Sequence, residues 1–305
     1  MFQHERWKPP QWLDPIYLVR GGSYSYDCAT QDSDQDLYGI CIPPLDVMMP
    51  YPIDYLPGFD RKPVEFNDYR VSHMNIGDIE YDVTIYSIVR FMKLVSDGNP
   101  NLIDILFAPD DCILNLTPVG QMLRDNRRLF LSKQLYKRFY CYADEQMREL
   151  VNRLGDMNIL FVRQVEDACG VDHSVTIDTV DLSKISDSYR DEYVRSYRYG
   201  LEKTKRFQNR KQYGYDTKFL SHSVRLALEC EQLLRDGDVD LKAHGSLLLD
   251  IRKGRMGLSE CKDLIDQKKV VMDELIETTN LPDCVDLVWV RQFMFELIDT
   301  YHWRR

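Results

Sequence analysis

GGSYSYDCATQDSDQDLYGI, residues Gly21–Ile40, governs the reading of the whole chain. It follows IYLVR at 16–20, whose β-branched and aromatic residues predict a short strand. Its last part opens DLYGICI, which predicts a second strand that stops at Pro43 and Pro44. The two strands form a hairpin-like pair. Their connection carries two glycines and a serine, and two carboxylates, Asp34 and Asp36, stand where the second strand begins. Strand residues i and i+2 project to the same side, about 6.6–7 Å apart, so this pair can converge on one cation. Mg²⁺ takes oxygen ligands, usually one or two carboxylates plus substrate phosphates, which points to phosphoryl or nucleotidyl transfer. Gly21, Gly22 and Ser23 offer backbone amides without Cβ obstruction and one hydroxyl, a seat for the distal phosphates of a nucleotide. An Asp-rich turn between two strands explains the same letters, so a further element has to decide.

That element is NIGDIEYDVTI at 75–85, read as one strand. Ile79, Tyr81, Val83 and Ile85 alternate onto one face, and Asp78, Glu80, Asp82 and Thr84 onto the other. Burying three acids in register without a cation costs on the order of several kcal/mol. A metal-bearing cleft accounts for that face better than a solvated one, with Asp82 as third acid and Glu80 and Asp78 as its rivals. Residues 43–70, rich in Pro, Asp and Tyr, show no period and are expected to run over the surface without regular structure. YSIVRFMKLVSDGNPNLIDILF at 86–107 has helical spacing broken at Gly98-Asn99-Pro100, hence two helices.

Beyond about residue 125 strand signals thin out. Helices are expected at 131–154, 188–212, 216–235 and 258–279, with a last one near 285–300. The expected architecture is therefore α+β, with a catalytic domain of short mixed sheet at 1–125 and an all-helical domain at 126–305.

The 305 residues suit two ordinary domains better than one core, and the net charge of −10 disfavours non-specific attraction to nucleic acid or anionic lipid. Any polyanion site must be local. Eight scattered cysteines, without a CxxC pair or zinc spacing, fit a reduced cytosol. The opening MFQHERWKPP has no apolar signal core, and no apolar run approaches bilayer length, so a cytoplasmic location without membrane contact is expected.

Gly22-Ser23, then Asp34-x-Asp36 on the next strand, then a lone strand acid resembles the DNA polymerase β nucleotidyltransferase superfamily. Within it, GGSYSYDCATQDSDQDLYGICIPP looks like the predicted nucleotidyltransferases associated with RNA repair. GNPNLIDILF from Gly98 resembles that family's helix start, with Asp104 where Glu is more usual. YDTKFLSHSVRLALECEQLL and LLLDIRKGRMGL resemble its C-terminal helical signatures. The resemblance implies a polymerase-β-like sheet bearing the carboxylates and a helical domain that closes the nucleotide cleft. It further implies that Asp34 and Asp36 hold two Mg²⁺ or Mn²⁺ ions, and that Asp82 ligates the catalytic one and helps activate the attacking hydroxyl. Two such ions about 3.5–4 Å apart clamp the attacking and leaving oxygens of an in-line displacement.

Lys218, His222, Arg225 and Glu229 are spaced to share one narrow helix face. Three potential cations there suit a triphosphate, although the same pattern serves a solvated face; with the resemblance, nucleotide binding leads. The segment 195–225 concentrates Arg195, Arg198, Lys203, Lys205, Arg206, Arg210, Lys211, Lys218 and Arg225. Tyr193, Tyr197, Tyr199, Phe207, Tyr213 and Tyr215 interleave with them. Either they stack on the bases of RNA or DNA, or they fill a core behind a solvated basic helix.

The function expected is metal-dependent transfer of an NMP from an NTP to an acceptor hydroxyl, preferably an RNA end, with release of pyrophosphate. Nucleotidylation of a protein or small molecule, and a non-catalytic nucleotide-binding regulator, are the alternatives.

Overall fold

A computed structural model describes residues 4–31, 33–49, 65–152, 157–199 and 205–303. The first connection follows the chain as read. β1 (Pro15–Arg20) and β2 (Gln35–Cys41) pair antiparallel, and a 3₁₀ turn at Gly22–Tyr24 opens the loop between them. After β2 comes a short helix, α1 (Leu45–Met48), inside the stretch expected to be irregular; the remainder of that excursion at 50–64 lies outside the described residues.

The expected single strand at 75–85 is a hairpin. β3 (Asp68–Ile76) and β4 (Ile79–Ser87) pair antiparallel across a turn at Gly77-Asp78, so Asn75 and Ile76 belong to β3. Gly77 has φ +62, the left-handed conformation in which glycine carries no Cβ penalty. β2 and β4 run parallel, β5 (Ile113–Leu116) pairs with β1, and the sheet order is β3-β4-β2-β1-β5. One face of the sheet is apolar. Leu37, Cys41, Val71, Met74, Val83 and Ile85 are buried there, with Trp7, Trp12 and Leu13 packed against them.

α2 (Ile88–Ser96) packs on β2 and β4, and Ser87 caps it by accepting the Arg90 N–H at 3.2 Å. α3 (Pro100–Leu106) starts as the Gly98-Asn99-Pro100 break predicts, with Asn99 as cap and Pro100 at its first position. Helices α4 (Pro118–Asp125), α5 (Gln134–Asn152), α6 (Met157–Cys169), α7 (Asp187–Tyr199), α8 (Lys205–Tyr213), α9 (Thr217–Asp236), α10 (Gly245–Arg252), α11 (Leu258–Thr278) and α12 (Leu287–Trp303) complete the described chain. α9, α11 and α12 match their expected spans closely. The expected helix at 188–212 is two, α7 and α8, while α6 and α10 had not been expected.

The chain forms two compact units. One comprises Met1–Phe139, Leu228–Ser246 and Val271–Arg305 and contains the sheet; in it α12 packs on α2 and α4. The other, Tyr140–Ala227 with Leu247–Val270, is helical. Its core holds Ile159, Val162, Val165, Cys169, Val180, Tyr193, Tyr197 and Phe207. A charged network is sealed within it. Lys211 Nζ donates to Glu166 Oε1 and to the Val175 carbonyl, each at 2.7 Å, and Tyr193 donates to the same Oε1 at 3.1 Å. His173 Nδ1 meets Glu166 Oε2 at 3.0 Å. Every charge in that network has a partner, the condition under which burial is tolerated.

Candidate active site

The polar face of the sheet is built by strand register. Asp36, Tyr38 and Ile40 of β2 stand opposite Asp82, Thr84 and Tyr86 of β4, and partners in a parallel pair project to the same side. Asp36 and Asp82 are thus direct neighbours across strands about 4.8 Å apart. Asp34 lies just before β2, two residues from Asp36, and Glu80 lies two residues before Asp82 on β4. Asp78 is exposed in the hairpin turn and does not belong to the strand face that carries Glu80 and Asp82.

The glycine loop reaches the same spot. Gly21 N–H donates to the Asp36 carbonyl at 2.7 Å, and Gly22 takes φ +59. A Cβ built on Gly22 would overlap Asp36 Oδ2 and lie 2.8 Å from Asp36 Cγ, so only glycine leaves room for that carboxylate. Ser23 follows in the 3₁₀ turn, and its carbonyl accepts the Cys28 N–H at 2.9 Å, folding the loop back on itself. Gly22 therefore lies against Asp36, and Asp82 holds the register position beside it; Asp34 is two residues away in the chain, and among the described residues these three acids do not converge to within 4.8 Å of one another. The Tyr38 ring lies against Gly21. Its phenol is held above the ordinary range, first by burial and then by negative charge at Asp36, Tyr86, Asp104 and Asp82.

Two features of this site are not visible in the sequence pattern. His73 on β3 occupies a break in register between Val71 and Met74 with φ +54. From there its N–H donates to Asp82 Oδ1 at 2.7 Å, and its ring bonds Glu80 Oε1. Asp104 of α3 is buried and accepts a hydrogen bond from Tyr26 at 2.6 Å, which ties the glycine loop to that helix.

Asp36 and Asp82 occupy adjacent strand positions, and their carboxylate oxygens are the donor type that Mg²⁺ or Mn²⁺ requires.

In the helical unit, Lys218 is exposed, His222 is half-buried, and Arg225 is only 5% exposed. Arg225 Nη2 lies 2.9 Å from His222 Nδ1, and the Tyr142 ring meets His222 edge-on at 5.6 Å. Burial, then Arg225 and Lys218, push His222 down to about 3. It is neutral at physiological pH, so the expected three cations are two. The segment 195–225 also needs correction. Tyr193, Tyr197 and Phe207 are core residues and Lys211 is fully buried in its pair with Glu166, so none of the four is exposed to a nucleic acid. Lys203 lies outside the described residues.

A model of the RNA repair pathway DNA polymerase beta family matches residues 10–283. The chain belongs to the RNA repair pathway DNA polymerase beta family. The mixed five-stranded sheet followed by helices is the α+β arrangement expected of this polymerase beta family member. Membership points to nucleotidyl transfer in RNA repair, and such enzymes generally use divalent metals. The chain is also 30% identical over 127 residues to a protein of Enterobacteria phage T4 described as "Uncharacterized 38.9 kDa protein in nrdC-mobD intergenic region". That match covers 41% of this chain and 35% of the phage protein, about a third of that relative's length. No solved structure matches. Among the described residues no helix is long and apolar enough to cross a membrane.

Proposed function

We propose that this family member transfers a nucleoside monophosphate from an NTP to an acceptor hydroxyl at an RNA end and releases pyrophosphate. The observation that supports this best is the meeting of Asp36 with Asp82 across β2 and β4, with the Gly22 backbone pressed against the Asp36 carboxylate. Asp34, Asp36 and Asp82 are the residues that would hold two Mg²⁺ or Mn²⁺ ions. Such ions, when bound, neutralise phosphate charge and make the acceptor hydroxyl more acidic.

The chain's own groups do the rest. Gly22 and Ser23 seat the distal phosphates beside Asp36. Asp82, oriented by the His73 N–H, faces the acceptor and takes the proton of its hydroxyl. The bond between the acceptor oxygen and the α-phosphorus forms as the bond to the bridging oxygen breaks, and pyrophosphate departs.

A protein or small-molecule acceptor is the second reading. It is favoured by the burial of Tyr193, Tyr197, Phe207 and Lys211, which removes part of the nucleic-acid track. Incubation with each α-labelled NTP, Mg²⁺ or Mn²⁺, and separate pools of RNA, DNA and protein tests the proposal. Label on RNA supports it, label on protein alone moves the assignment to the second reading, and no transfer to any of the three pools refutes a nucleic-acid or protein acceptor.

A further inference from the structure

Beside Asp82 the β3–β4 hairpin holds two side chains, His73 and Glu80, that the proposed nucleotidyl transfer does not use. We propose that His73, Glu80 and Asp82 form a nitrogen-bearing metal site that takes a first-row transition cation, Mn²⁺ or Zn²⁺, in preference to Mg²⁺. One ligand atom of each residue lies within 4.8 Å of the others, the one such group of histidine, cysteine and acid side chains among the described residues. Glu80 and Asp82 share a face because they are two apart on β4, whereas His73 arrives by a different device. The register break between Val71 and Met74 makes this stretch of β3 a bulge, and bulges re-aim side chains.

At φ +54 His73 adopts a conformation uncommon for residues with a Cβ. In it the main chain bonds Asp82 while the ring bonds Glu80. A regular strand would have sent the ring to the opposite face. The His73 side chain is 74% exposed, so an ion reaches it from solvent.

The ligand chemistry sets the preference. Mg²⁺ favours carboxylates, phosphates and water, and imidazole contributes little to holding it; Mn²⁺ and Zn²⁺ accept imidazole alongside carboxylate. An arriving ion displaces the proton between His73 and Glu80 and takes the two lone pairs it had joined. The inference shares Asp82 with the proposed transfer site but stands whether or not transfer occurs.

Metal binding to the full chain, stripped with chelator, tests it. Free Mn²⁺ is followed by its spin resonance, Zn²⁺ by competition with a chromophoric chelator, and Mg²⁺ by its displacement of Mn²⁺. His73→Asn is the informative variant, because Asn tolerates a positive φ and keeps the bulge; thermal melts check that it folds. Loss of the imidazole is expected to weaken Zn²⁺ and Mn²⁺ at one site by about tenfold or more, and to leave Mg²⁺ competition unchanged. The Asp34→Asn, Asp36→Asn double variant is expected to retain that site. Wild-type Zn²⁺ and Mn²⁺ affinity in folded His73→Asn would overturn the inference, as would loss of all Zn²⁺ binding in the double variant. In those cases Mg²⁺-dependent transfer by His73→Asn would still leave the proposed function standing.

Discussion

Gly22→Ala separates the cost of folding from the cost to the site. At φ +59 an alanine meets the left-handed penalty, about 1–2 kcal/mol, so the thermal midpoint should drop on the order of 2–5 °C. The added methyl also overlaps Asp36 Oδ2 and sits 3.1 Å from Asp36 Cβ. What gives way is the end of a flexible side chain, so relief adds little to the loss of stability. It does so by turning the carboxylate out of the position it shares with Asp82, and a displacement near 1 Å can cost about a hundredfold in rate. Gly21→Ala is the contrast. Gly21 has φ −101, and its added methyl would lie 2.5 Å from the Tyr38 ring and 3.8 Å from the Asp36 carbonyl oxygen. It should lose stability with a smaller loss of turnover. Steady-state pyrophosphate release and melting curves on both variants give the comparison. Turnover in Gly22→Ala within about threefold of wild type, alongside the expected drop in midpoint, would refute the placement of Asp36 at the centre of the site.

The third acid should show itself by inequality: Asp82→Asn is expected to slow turnover by about a hundredfold or more, roughly 2.7 kcal/mol in the barrier, and Glu80→Gln far less with Mg²⁺. A larger loss at Glu80 reassigns the role. Lys211→Ala leaves Glu166 charged and buried, so chemical unfolding should show a loss of about 3–5 kcal/mol; a loss below about 1 kcal/mol contradicts the sealed network. His222 gives a pH dependence. Its unfolded value is near 6.5 and its folded value about 3, so between these the unfolded state binds a proton that the fold refuses. Stability should be unaffected by His222 above that range and fall as pH drops through it, by up to about 1.4 kcal/mol per unit. His222→Asn should flatten that part of the stability profile, and an unchanged slope would refute the burial of a neutral ring.

Features written in adjacent letters were legible, and those that depend on distant partners were not. Gly22, Asp34 and Asp36 were legible because a positive φ and a two-residue spacing are written in adjacent letters. Alternation put Glu80 and Asp82 on one face of β4, and Asp78, counted with them, lies in the turn before the strand. β3 escaped because its bulge brings Val71 and Met74 inward three residues apart, so DYRVSHMNI shows no period of two. The turn at Gly77-Asp78 was absorbed into one strand for the same reason. Lys211 resembled its basic neighbours because its partner Glu166 is 45 residues away, beyond any local pattern. Asp104 sits in a legible helix, but its partner Tyr26 lies 78 residues earlier. Four-residue β5 is too short to carry an alternation.

The most direct test of the central claim is transfer of α-labelled NTP to an RNA 3′ hydroxyl by wild type and Asp36→Asn, with and without Mg²⁺ or Mn²⁺. The account predicts divalent-dependent label on RNA from the wild type. It predicts at least about a hundredfold less from Asp36→Asn at a thermal midpoint no lower than wild type. Equal labelling by the two proteins, or labelling that persists in chelator, would contradict it.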